Sequence, residues 1–390
     1  MGAPSYFAGY PREDGLTGSR NWLAVIPTVF CANEAVARIA RTSGLCRPLL
    51  HAQGCGQLKP DLEVIERTLI GLGCNPNVGA CLVVSLGCEA VSGEKVCQGI
   101  AAAGRPVEHL VIQREGGLSR TVGRGVAWVE RLSSVLKAQV RQRRPISELR
   151  LGIKCGSSDA SSGLAANPAT GKAVDTLLGQ GGTVVFGETT EFIGAEHLLA
   201  DRAADERVRE RILEIVKRME SRIIAMGVDM RGTQPSPGNI AGGLSTIEEK
   251  SLGAISKSGS RPINGVYEYG ERIKGKGLFV IDSPGKEDVI LTGLSAAGAN
   301  VIIFTSGGGA PQGCPLVPVV KVASNQGMVC AMAEHVDVDV SAIMRGEKSI
   351  VQSGEEIYGR LALVASGEPV KAELCAYDAS SAIYTTGPII

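Results

Sequence analysis

A polar stretch from Lys154 to Asn167, KCGSSDASSGLAAN, carries the densest set of chemically useful side chains in the sequence. It follows an apolar run at 149–153 that predicts a buried strand, and it supplies the thiol of Cys155, the carboxylate of Asp159 and four serine hydroxyls. A glycine-rich loop at the carboxyl end of a strand brings backbone N–H groups and hydroxyls close to a small anion. A plain strand-to-helix turn with serine caps is the alternative, although such a turn seldom needs so many donors beside a thiol.

Other polar clusters also follow apolar, strand-like runs. Glu188 comes after the run 183–186, and a Ser-Gly-Gly-Gly segment that begins at Ser306 comes after 301–305. Ligands of open α/β sheets bind at the carboxyl ends of the strands, so we expect these clusters to converge on one site. In the second segment, Gly307 and Gly308 let the backbone approach an anionic group closely or, equally, form a tight turn.

His51 is the most distinctive of the four histidines in the chain. It opens the glycine-broken segment HAQGCGQ, which follows a short apolar run. A histidine in this position serves as a metal ligand, as a general base or as a structural hydrogen-bonding group, and the sequence leaves these alternatives open.

The elements that must position these residues alternate between strand-like and helical patterns. This alternation predicts an α/β fold with mostly parallel, helix-covered sheets in two or three lobes, and with the site at the carboxyl ends of strands. We expect an N-terminal α/β lobe at 1–145, a central α/β lobe at 146–255 and a C-terminal α/β lobe at 256–390. The central lobe would contain a long helix at 201–226, where apolar residues recur every three or four positions, and a Pro/Gly loop at 232–243.

Composition narrows the class of protein. The 390 residues include 40 Lys and Arg and 40 Asp and Glu, and this zero net charge argues against a nucleic-acid or membrane-surface protein. We find no apolar run long enough for a membrane span and no signal-peptide pattern. The 11 cysteines are odd in number, which argues against a disulfide framework and for a reducing, cytoplasmic location. Dinucleotide-binding, P-loop and serine-elbow motifs are missing, so nucleotide-dependent and triad-hydrolase mechanisms lose support.

Several longer segments resemble the altronate/galactarate dehydratase family, which also contains the large subunit of (2R)-sulfolactate sulfo-lyase. The similarity extends over almost the whole chain. The matching segments are GYPREDGLTGSRN (9–21), PTVFCAN (27–33), HAQGCGQ (51–57), RTLIGLGCNPNVGACLVVSLGCE (67–89), CGSSDASSGLAANPATG (155–171), GGTVVFGETTEFIGAEHLL (181–199), PSPGNIAGGLSTIEEKSLG (235–253), DSPG (282–285) and FTSGGGAPQG (304–313).

The resemblance implies a metal-dependent lyase that removes water from a 2,3-dihydroxy sugar acid to give a 2-keto-3-deoxy acid. The alternative within the family is release of sulfite and pyruvate from sulfolactate. The implied cofactor is a divalent metal, Fe²⁺ first and Mn²⁺, Mg²⁺ or Ca²⁺ as alternatives, which would stabilise an enediolate-like charge.

The same resemblance suggests a role for each candidate residue. The expected metal ligands are His51, Cys155 and Glu188. The expected catalytic residues are His51, Lys154 and Asp159. The expected substrate-binding residues are Ser157, Ser158, Asn167, Asn239, Ser306, Gly307 and Gly308.

Three positions depart from the usual pattern of the family, with Ser157 in place of Gly, Gly308 in place of Arg and Ser341 in place of Asn. Loss of a guanidinium removes a clamp for a carboxylate or sulfonate, so the substrate stays open. The family's β-rich SAF-type module is not recognised in this sequence, and we therefore expect a separate SAF-type small subunit as a partner, together with a homo-oligomer. A homologue that binds a small acid without turning it over is the alternative from another class.

Overall fold

The computed structural model describes residues 3–378 and 381–390. Its strands form three sheets, two of them parallel throughout and one small and antiparallel. The strands are β1 (Tyr6–Pro11), β2 (Thr17–Gly18), β3 (Trp22–Pro27), β4 (Cys46–Pro48), β5 (Val78–Ser85), β6 (Val107–Val111), β7 (Gln142–Pro145), β8 (Arg150–Gly156), β9 (Thr183–Phe186), β10 (Ile263–Tyr267), β11 (Gly277–Ile281), β12 (Val301–Ser306), β13 (Val319–Ala323) and β14 (Val338–Asp339).

Helices cover both parallel sheets, which confirms the predicted α/β class with mostly parallel strands. The helices are α1 (Asn33–Ala40), α2 (Lys59–Gly73), α3 (Gly93–Ala101), α4 (Ile112–Glu115), α5 (Leu118–Ala138), α6 (Asn167–Gly179), α7 (Glu196–Ala200), α8 (Glu206–Ala225), α9 (Met230–Thr233), α10 (Pro237–Ala241), α11 (Ile247–Ile255), α12 (Glu287–Ala296), α13 (Gln326–Ala331), α14 (Ile350–Ala365) and α15 (Lys371–Leu374).

The larger parallel sheet has the strand order β10-β11-β9-β8-β12-β13-β14, and the smaller has the order β4-β3-β5-β6. Strand β8 lies in the middle of the larger sheet and is buried along its whole length. A central parallel strand is covered on both faces, which is why its sequence is a continuous apolar run rather than an alternating one. The loop after β8 therefore begins at the centre of the carboxyl edge of this sheet.

Three apolar cores lie between the layers. One core packs α1 and α5 on the outer face of the smaller sheet. A second packs α2, α3 and α12 between the two parallel sheets, and a third packs α6, α8 and α14 on the opposite face of the larger sheet. The middle core holds the two sheets in a fixed relation, because residues of both contribute to it.

The larger sheet takes strands from both sides of residue 255, the boundary expected between the second and third lobes. Strands β8 and β9 come before this point, whereas β10 to β14 come after it, and all are hydrogen-bonded into one sheet. The three-lobe division remains a prediction. The structure shows that the ranges 146–255 and 256–390 share one sheet and the cores on its two faces.

Two other local predictions differ in detail from the structure. The long helix expected at 201–226 begins at Glu206, because Asp205 accepts a hydrogen bond from the Val208 N–H and caps the helix. The Pro/Gly segment expected as a loop at 232–243 contains the short helix α10, which Ser236 caps through a reciprocal bond with Asn239.

Buried amides join the smaller sheet to the larger one. The amide of Asn77, which is fully buried, donates to the backbone oxygens of Asn300 and Leu316 at 3.0 and 2.9 Å. Its oxygen accepts from the backbone N–H of Ser19 at 2.7 Å. The Asn75 amide likewise donates to the backbone oxygens of Ser295, in α12, and Ala299, just before β12 of the larger sheet. The CNPN segment of the sequence is therefore a structural link rather than part of the site.

We found no helix among the described residues that is long and apolar enough to cross a membrane.

We predict that Asn77→Ala lowers the free energy of unfolding by about 3 kcal/mol, because the change leaves several buried backbone groups without partners. Urea denaturation followed by circular dichroism measures this loss. Gln98→Ala, which removes an exposed amide on α3, is the matched control and should change the stability by less than about 0.5 kcal/mol. Equal stability of the two variants would contradict the assigned link.

Candidate active site

A cavity of about 720 Å³ opens at the carboxyl edge of the larger sheet. Its wall includes the end of β8 and the following residues 155–159, residues of the Pro/Gly segment around Asn239, and Gly308 from the loop after β12. Glu191 and Lys250 also line it. Several of the polar clusters predicted at the carboxyl ends of strands therefore line the same cavity.

Strand β8 is longer than the sequence indicates. Lys154, Cys155 and Gly156 are the last residues of the strand and pair with β12, although the sequence analysis places the first of them at the start of a loop. The irregular part is only three residues long, at 157–159, and a helical turn at 160–161 continues into the π-helical segment Ser162–Ala166 and then α6. The side chains of Lys154 and Cys155 are thus set by strand geometry rather than by a loop.

Cys155, Glu188 and Glu191 form a buried cluster at this strand end. One ligating atom from each lies within 4.8 Å of the others. The Cys155 N–H donates to Glu188 Oε2 at 2.9 Å, and the thiol donates to Glu191 Oε2 at 2.9 Å. The two carboxylates come together because a 3₁₀ turn, Thr189–Glu191, follows β9 and places residues three apart on the same side.

Lys257 occupies the centre of this cluster. Its Nζ lies 2.9 Å from Glu188 Oε2, 3.7 Å from Glu191 Oε2 and 3.2 Å from Cys155 Sγ. The residue lies on a short 3₁₀ turn that follows α11, and its side chain is fully buried. An ammonium ion between two buried carboxylates supplies the charge compensation that each of them needs.

Lys154 forms a second layer behind the cluster. Its Nζ lies 3.7 Å from Glu188 Oε1 and 3.6 Å from Glu287 Oε1, and 4.2 Å above the ring of Phe304. Neither Lys154 Nζ nor Glu188 Oε1 has a hydrogen-bond partner among the described residues, and both are buried. These two atoms are the unsatisfied polar groups closest to the cluster.

Burial and the lysines set the protonation of the cluster. Burial raises the pKa of the Cys155 thiol well above its ordinary value, and the nearby Glu188 and Glu191 raise it further. Burial also raises the pKa of Glu188, against the opposing charge of Lys257. For Glu191 burial acts in the same direction, but Lys257 and Lys250 outweigh it and the pKa is lowered. Although burial opposes it, the three acidic partners raise the pKa of Lys257. At neutral pH the cluster therefore contains a thiol, an ammonium ion and an ionised Glu191.

Asp159 is the centre of a separate hydrogen-bond network on the cavity wall. Its Oδ1 accepts from the Ser161 hydroxyl at 2.7 Å and from the Ser162 N–H at 2.9 Å, and its Oδ2 accepts from the Asn325 amide at 2.9 Å. A Cβ at Gly307 would overlap the Asp159 carboxylate, so only glycine permits this close approach. The hydrogen bond from Asn325 holds the serine-rich loop against the segment after β13, and the close approach to Gly307 packs it against the loop after β12.

The remaining substrate-binding candidates divide into two groups. Ser157 and Ser158 line the cavity, as does Asn239, whose amide donates to the Ser158 carbonyl at 2.8 Å. Asn167 lies outside the residues lining this cavity, and its amide donates to the Gly253 carbonyl at 2.9 Å while its oxygen accepts from Thr305. The Ser306 hydroxyl accepts from the Gly309 N–H at 2.9 Å and shapes its own turn.

His51 lies at the carboxyl edge of the smaller sheet, in the turn that follows β4. Its Nε2 is 2.8 Å from the carbonyl of Pro27, and its Nδ1 accepts from the Gln53 N–H at 3.2 Å. Burial lowers the pKa of this imidazole. The group of Cys155, Glu188 and Glu191 found among the described residues does not include it, so the structure does not bring His51 together with the other two predicted metal ligands.

Lys257, Glu191 and Lys250 are functional candidates that the sequence reasoning does not identify. Glu191 has a sequence signal, because it lies three residues after Glu188 in the segment GETTEF. The two lysines have none of this kind, since they come from α11 and the turn after it rather than from the end of a strand.

Ser157 and Gly308 depart together from the usual pattern of the family, and the structure connects them. Ser157 has φ of +50°, in the left-handed region that favours glycine. The Gly308 N–H donates to the Ser157 carbonyl at 2.8 Å, and a Cβ at Gly308 would overlap the Ser157 hydroxyl. The serine side chain thus occupies the space in which a side chain at position 308 would begin.

Comparisons with known proteins cover nearly the whole chain. A sequence profile described as D-galactarate/altronate dehydratase, C-terminal, matches residues 146–388, and one described as D-galactarate dehydratase/altronate hydrolase, second domain, matches residues 9–137. The (2R)-sulfolactate sulfo-lyase subunit beta of Chromohalobacter salexigens is 40% identical over 94% of this chain and 94% of its own length. The altronate dehydratase of Bacillus subtilis is 35% identical over 94% of this chain and 75% of its own length. The galactarate dehydratase (L-threo-forming) of Escherichia coli is 34% identical over 93% of this chain and 73% of its own length.

We predict that Gly308→Ala lowers the free energy of unfolding by about 1–2 kcal/mol in the natural chain, because the new methyl group overlaps Ser157. In a Ser157→Gly background the same change should lower the free energy of unfolding by less than about 0.5 kcal/mol. The effects of the two substitutions on stability are then non-additive, as expected for residues in contact. A double-mutant cycle by urea denaturation measures the difference. Gly238→Ala, where an added Cβ meets open space, is the control and should be additive with Ser157→Gly. Additive behaviour of position 308 as well would contradict the contact.

Proposed function

Because the chain is a lyase of the D-galactarate/altronate dehydratase family, we propose that it eliminates water from a 2,3-dihydroxy sugar acid and forms a 2-keto-3-deoxy acid. The observation that carries this proposal is the buried cluster of Cys155, Glu188, Glu191 and Lys257 at an open cavity. Buried, compensating charges of this kind are typical of sites that stabilise charge in a reaction.

The elimination requires a proton acceptor and a route for the leaving group. The C2–H bond breaks and its electron pair forms the C2–C3 double bond, while the C3–O bond breaks and the hydroxyl leaves as water after it takes up a proton. The enol then tautomerises to the 2-keto acid. Proton abstraction next to a carboxylate puts negative charge on that group, and cationic groups close by lower its free energy.

In our proposal Oε1 of Glu191, the oxygen on the side of Lys250, accepts the C2 proton, whereas Oε2 faces Cys155 and Lys257. It lines the cavity, and its lowered pKa keeps it ionised at neutral pH. Lys250 holds an ammonium ion 3.8 Å from Glu191 Oε1, and Lys154 holds one 3.7 Å from Glu188 Oε1, so positive charge lies beside both carboxylates. We propose Ser157, Ser158 and the N–H groups of the neighbouring loop as the donors that orient the carboxylate and hydroxyls of the substrate. The expected catalytic role of Asp159 and of His51 remains a prediction.

The donor set of the cluster fits a divalent metal ion. A thiolate and two carboxylates suit Fe²⁺ or Mn²⁺, and the unpaired Glu188 Oε1 is a further acceptor. In our proposal Cys155, Glu188 and Glu191 hold the ion, with Glu191 in place of the predicted His51. Such an ion supplies Lewis-acid stabilisation of the developing enediolate charge.

A second candidate function is release of sulfite from sulfolactate, with pyruvate as the keto acid. The specific observation in its favour is that the relative named as a sulfo-lyase subunit has higher identity than the dehydratases and is covered over 94% of its length, rather than about three quarters. The proton removed from C2 is the same, and only the bond broken at C3 differs, C–S in place of C–O.

The name of that relative, subunit beta, also supports a separate partner subunit for this chain. We propose that a SAF-type small subunit completes the active site. A homo-oligomer and a cytoplasmic location remain predictions.

We predict that the chain, supplied with a SAF-type small subunit and Fe²⁺ without oxygen, forms a 2-keto acid from altronate or galactarate. Keto acid is measured by derivatisation and sulfite by a separate assay, with sulfolactate tested in parallel. Keto acid without sulfite is the expected result, whereas sulfite together with pyruvate would establish the second candidate. Absence of both from a folded complex with bound metal would contradict the lyase proposal and favour a protein that binds an acid without turnover.

We predict that Glu191→Gln lowers kcat at least about 100-fold, because the amide keeps the shape of the side chain but does not accept the C2 proton. The loss should appear in kcat rather than in KM, which steady-state kinetics separates. Glu248→Gln, a carboxylate on α11 with 45% of its side chain exposed, is the control and should keep full activity. Retention of kcat by Glu191→Gln would assign the proton acceptor elsewhere.

A further inference from the structure

We propose that the ammonium group of Lys257 and a divalent metal ion are alternative occupants of the space between Cys155, Glu188 and Glu191. The inference rests on the metal dependence in the proposed function, and it adds that metal entry requires the lysine side chain to leave. Lys257 would then set the metal affinity of the site.

The first argument is position. Lys257 Nζ lies between 2.9 and 3.7 Å from an atom of each of the three candidate ligands. A divalent ion lies about 2.0–2.4 Å from its sulfur and oxygen ligands. An ion bound to the same three atoms on the side that Nζ occupies would overlap the ammonium group.

The second argument is charge. In the structure the Lys257 ammonium ion compensates the buried carboxylates, at 2.9 Å from Glu188 Oε2 and 3.7 Å from Glu191 Oε2. A doubly charged cation placed beside this ammonium ion would add a like-charge repulsion in a buried site, where screening by water is weak. Removal of the lysine charge restores the need for a cation, which the metal ion then meets.

A third observation shows that the cluster has unused capacity for a ligand. Glu188 Oε1 is fully buried and has no hydrogen-bond partner among the described residues, and Lys154 Nζ, 3.7 Å away, has none either. A buried carboxylate oxygen without a partner is costly unless another group meets it. An acceptor without a hydrogen-bond partner therefore remains in the cluster while Lys257 is in place.

The main chain at Lys257 is fixed, so the exchange is confined to the side chain. The Ser258 hydroxyl donates to the Ile255 carbonyl at 2.8 Å and accepts from Arg202 at 2.9 Å. The lysine side chain has four rotatable bonds, which allow the ammonium group to move while the turn keeps its place.

Co²⁺ is the probe for this competition, because a cobalt–thiolate bond gives a charge-transfer absorption in the near ultraviolet that needs no turnover. The purified full chain is titrated with Co²⁺ without oxygen, as the natural protein and as Lys257→Met, which keeps the length of the side chain without its charge. We expect Lys257→Met to bind Co²⁺ at least tenfold more tightly than the natural chain. The band should disappear in both backgrounds when Cys155→Ser is added.

Lys154→Met is the matched control, since it removes an equally buried ammonium group that contacts Glu188 but neither Cys155 nor Glu191. It should change the Co²⁺ affinity by less than about threefold, and Lys257→Arg, which keeps the charge, should not raise it. Should Lys257→Met fail to fold, Lys257→Gln takes its place with the same expectation.

Equal Co²⁺ affinity of the natural chain and the Lys257 variants would overturn the competition, as would an equal gain in Lys154→Met. A complete absence of a Cys155-dependent band would overturn the metal site itself. The lyase assay fails or succeeds independently of this absorption, so the two proposals are tested separately.

Discussion

Two carboxylates buried at one strand end impose the strongest constraint on this molecule. Glu188 is fully buried and Glu191 lies within a few ångströms of it at the cavity wall, and a buried carboxylate is costly as an ion without a nearby positive charge. Lys257 lies between them and Lys154 lies behind Glu188. Removing one partner from such a buried arrangement costs about 3–5 kcal/mol in measured cases, so the lysines are as necessary to the fold as to the site.

The sheet makes this arrangement possible. Strand β8 is central and its neighbours β9 and β12 end beside it, so the side chains that follow all three strands meet at one edge. The helical layers then add what strands do not supply, because α11 and the turn after it bring Lys250 and Lys257 over the same edge. The cavity is lined both by residues at the strand ends and by residues of α11.

The sequence predicts the candidate site residues that lie at strand ends, because strands of a parallel sheet are recognisable from their apolar runs. Apolar runs such as 183–186 and 301–305 are easily recognised, and the parallel sheet forces the residues after them to one edge. This reasoning identifies Cys155, Glu188 and the cavity-lining serines. It does not tell which of two sheets a strand belongs to, so it does not reveal that His51 lies at the edge of the smaller sheet, apart from Cys155 and Glu188.

The candidate site residues that come from α11 and the turn after it are not predictable in the same way. Lys257 is flanked by serines on a short turn, and nothing in this local pattern distinguishes a fully buried lysine from an exposed one. Its burial follows only from the packing of the turn against α6 and β8. The sequence does not show that the ranges 146–255 and 256–390 share one sheet for a related reason, since the strands on both sides of residue 255 have the same apolar pattern whether they belong to one sheet or to two.

The cavity and the cluster differ in how freely they can change during evolution. The cluster is constrained by charge, because removing Lys257 or one of the two carboxylates leaves a buried charge with less compensation. The cavity wall is polar and partly exposed, and at Ser157 and Gly308 it changes through one contact between two loops, without disturbing the buried charges. A change at Ser157 or Gly308 would therefore alter the cavity wall without altering the buried charges, and the relatives of this chain are named for both sugar acids and sulfolactate.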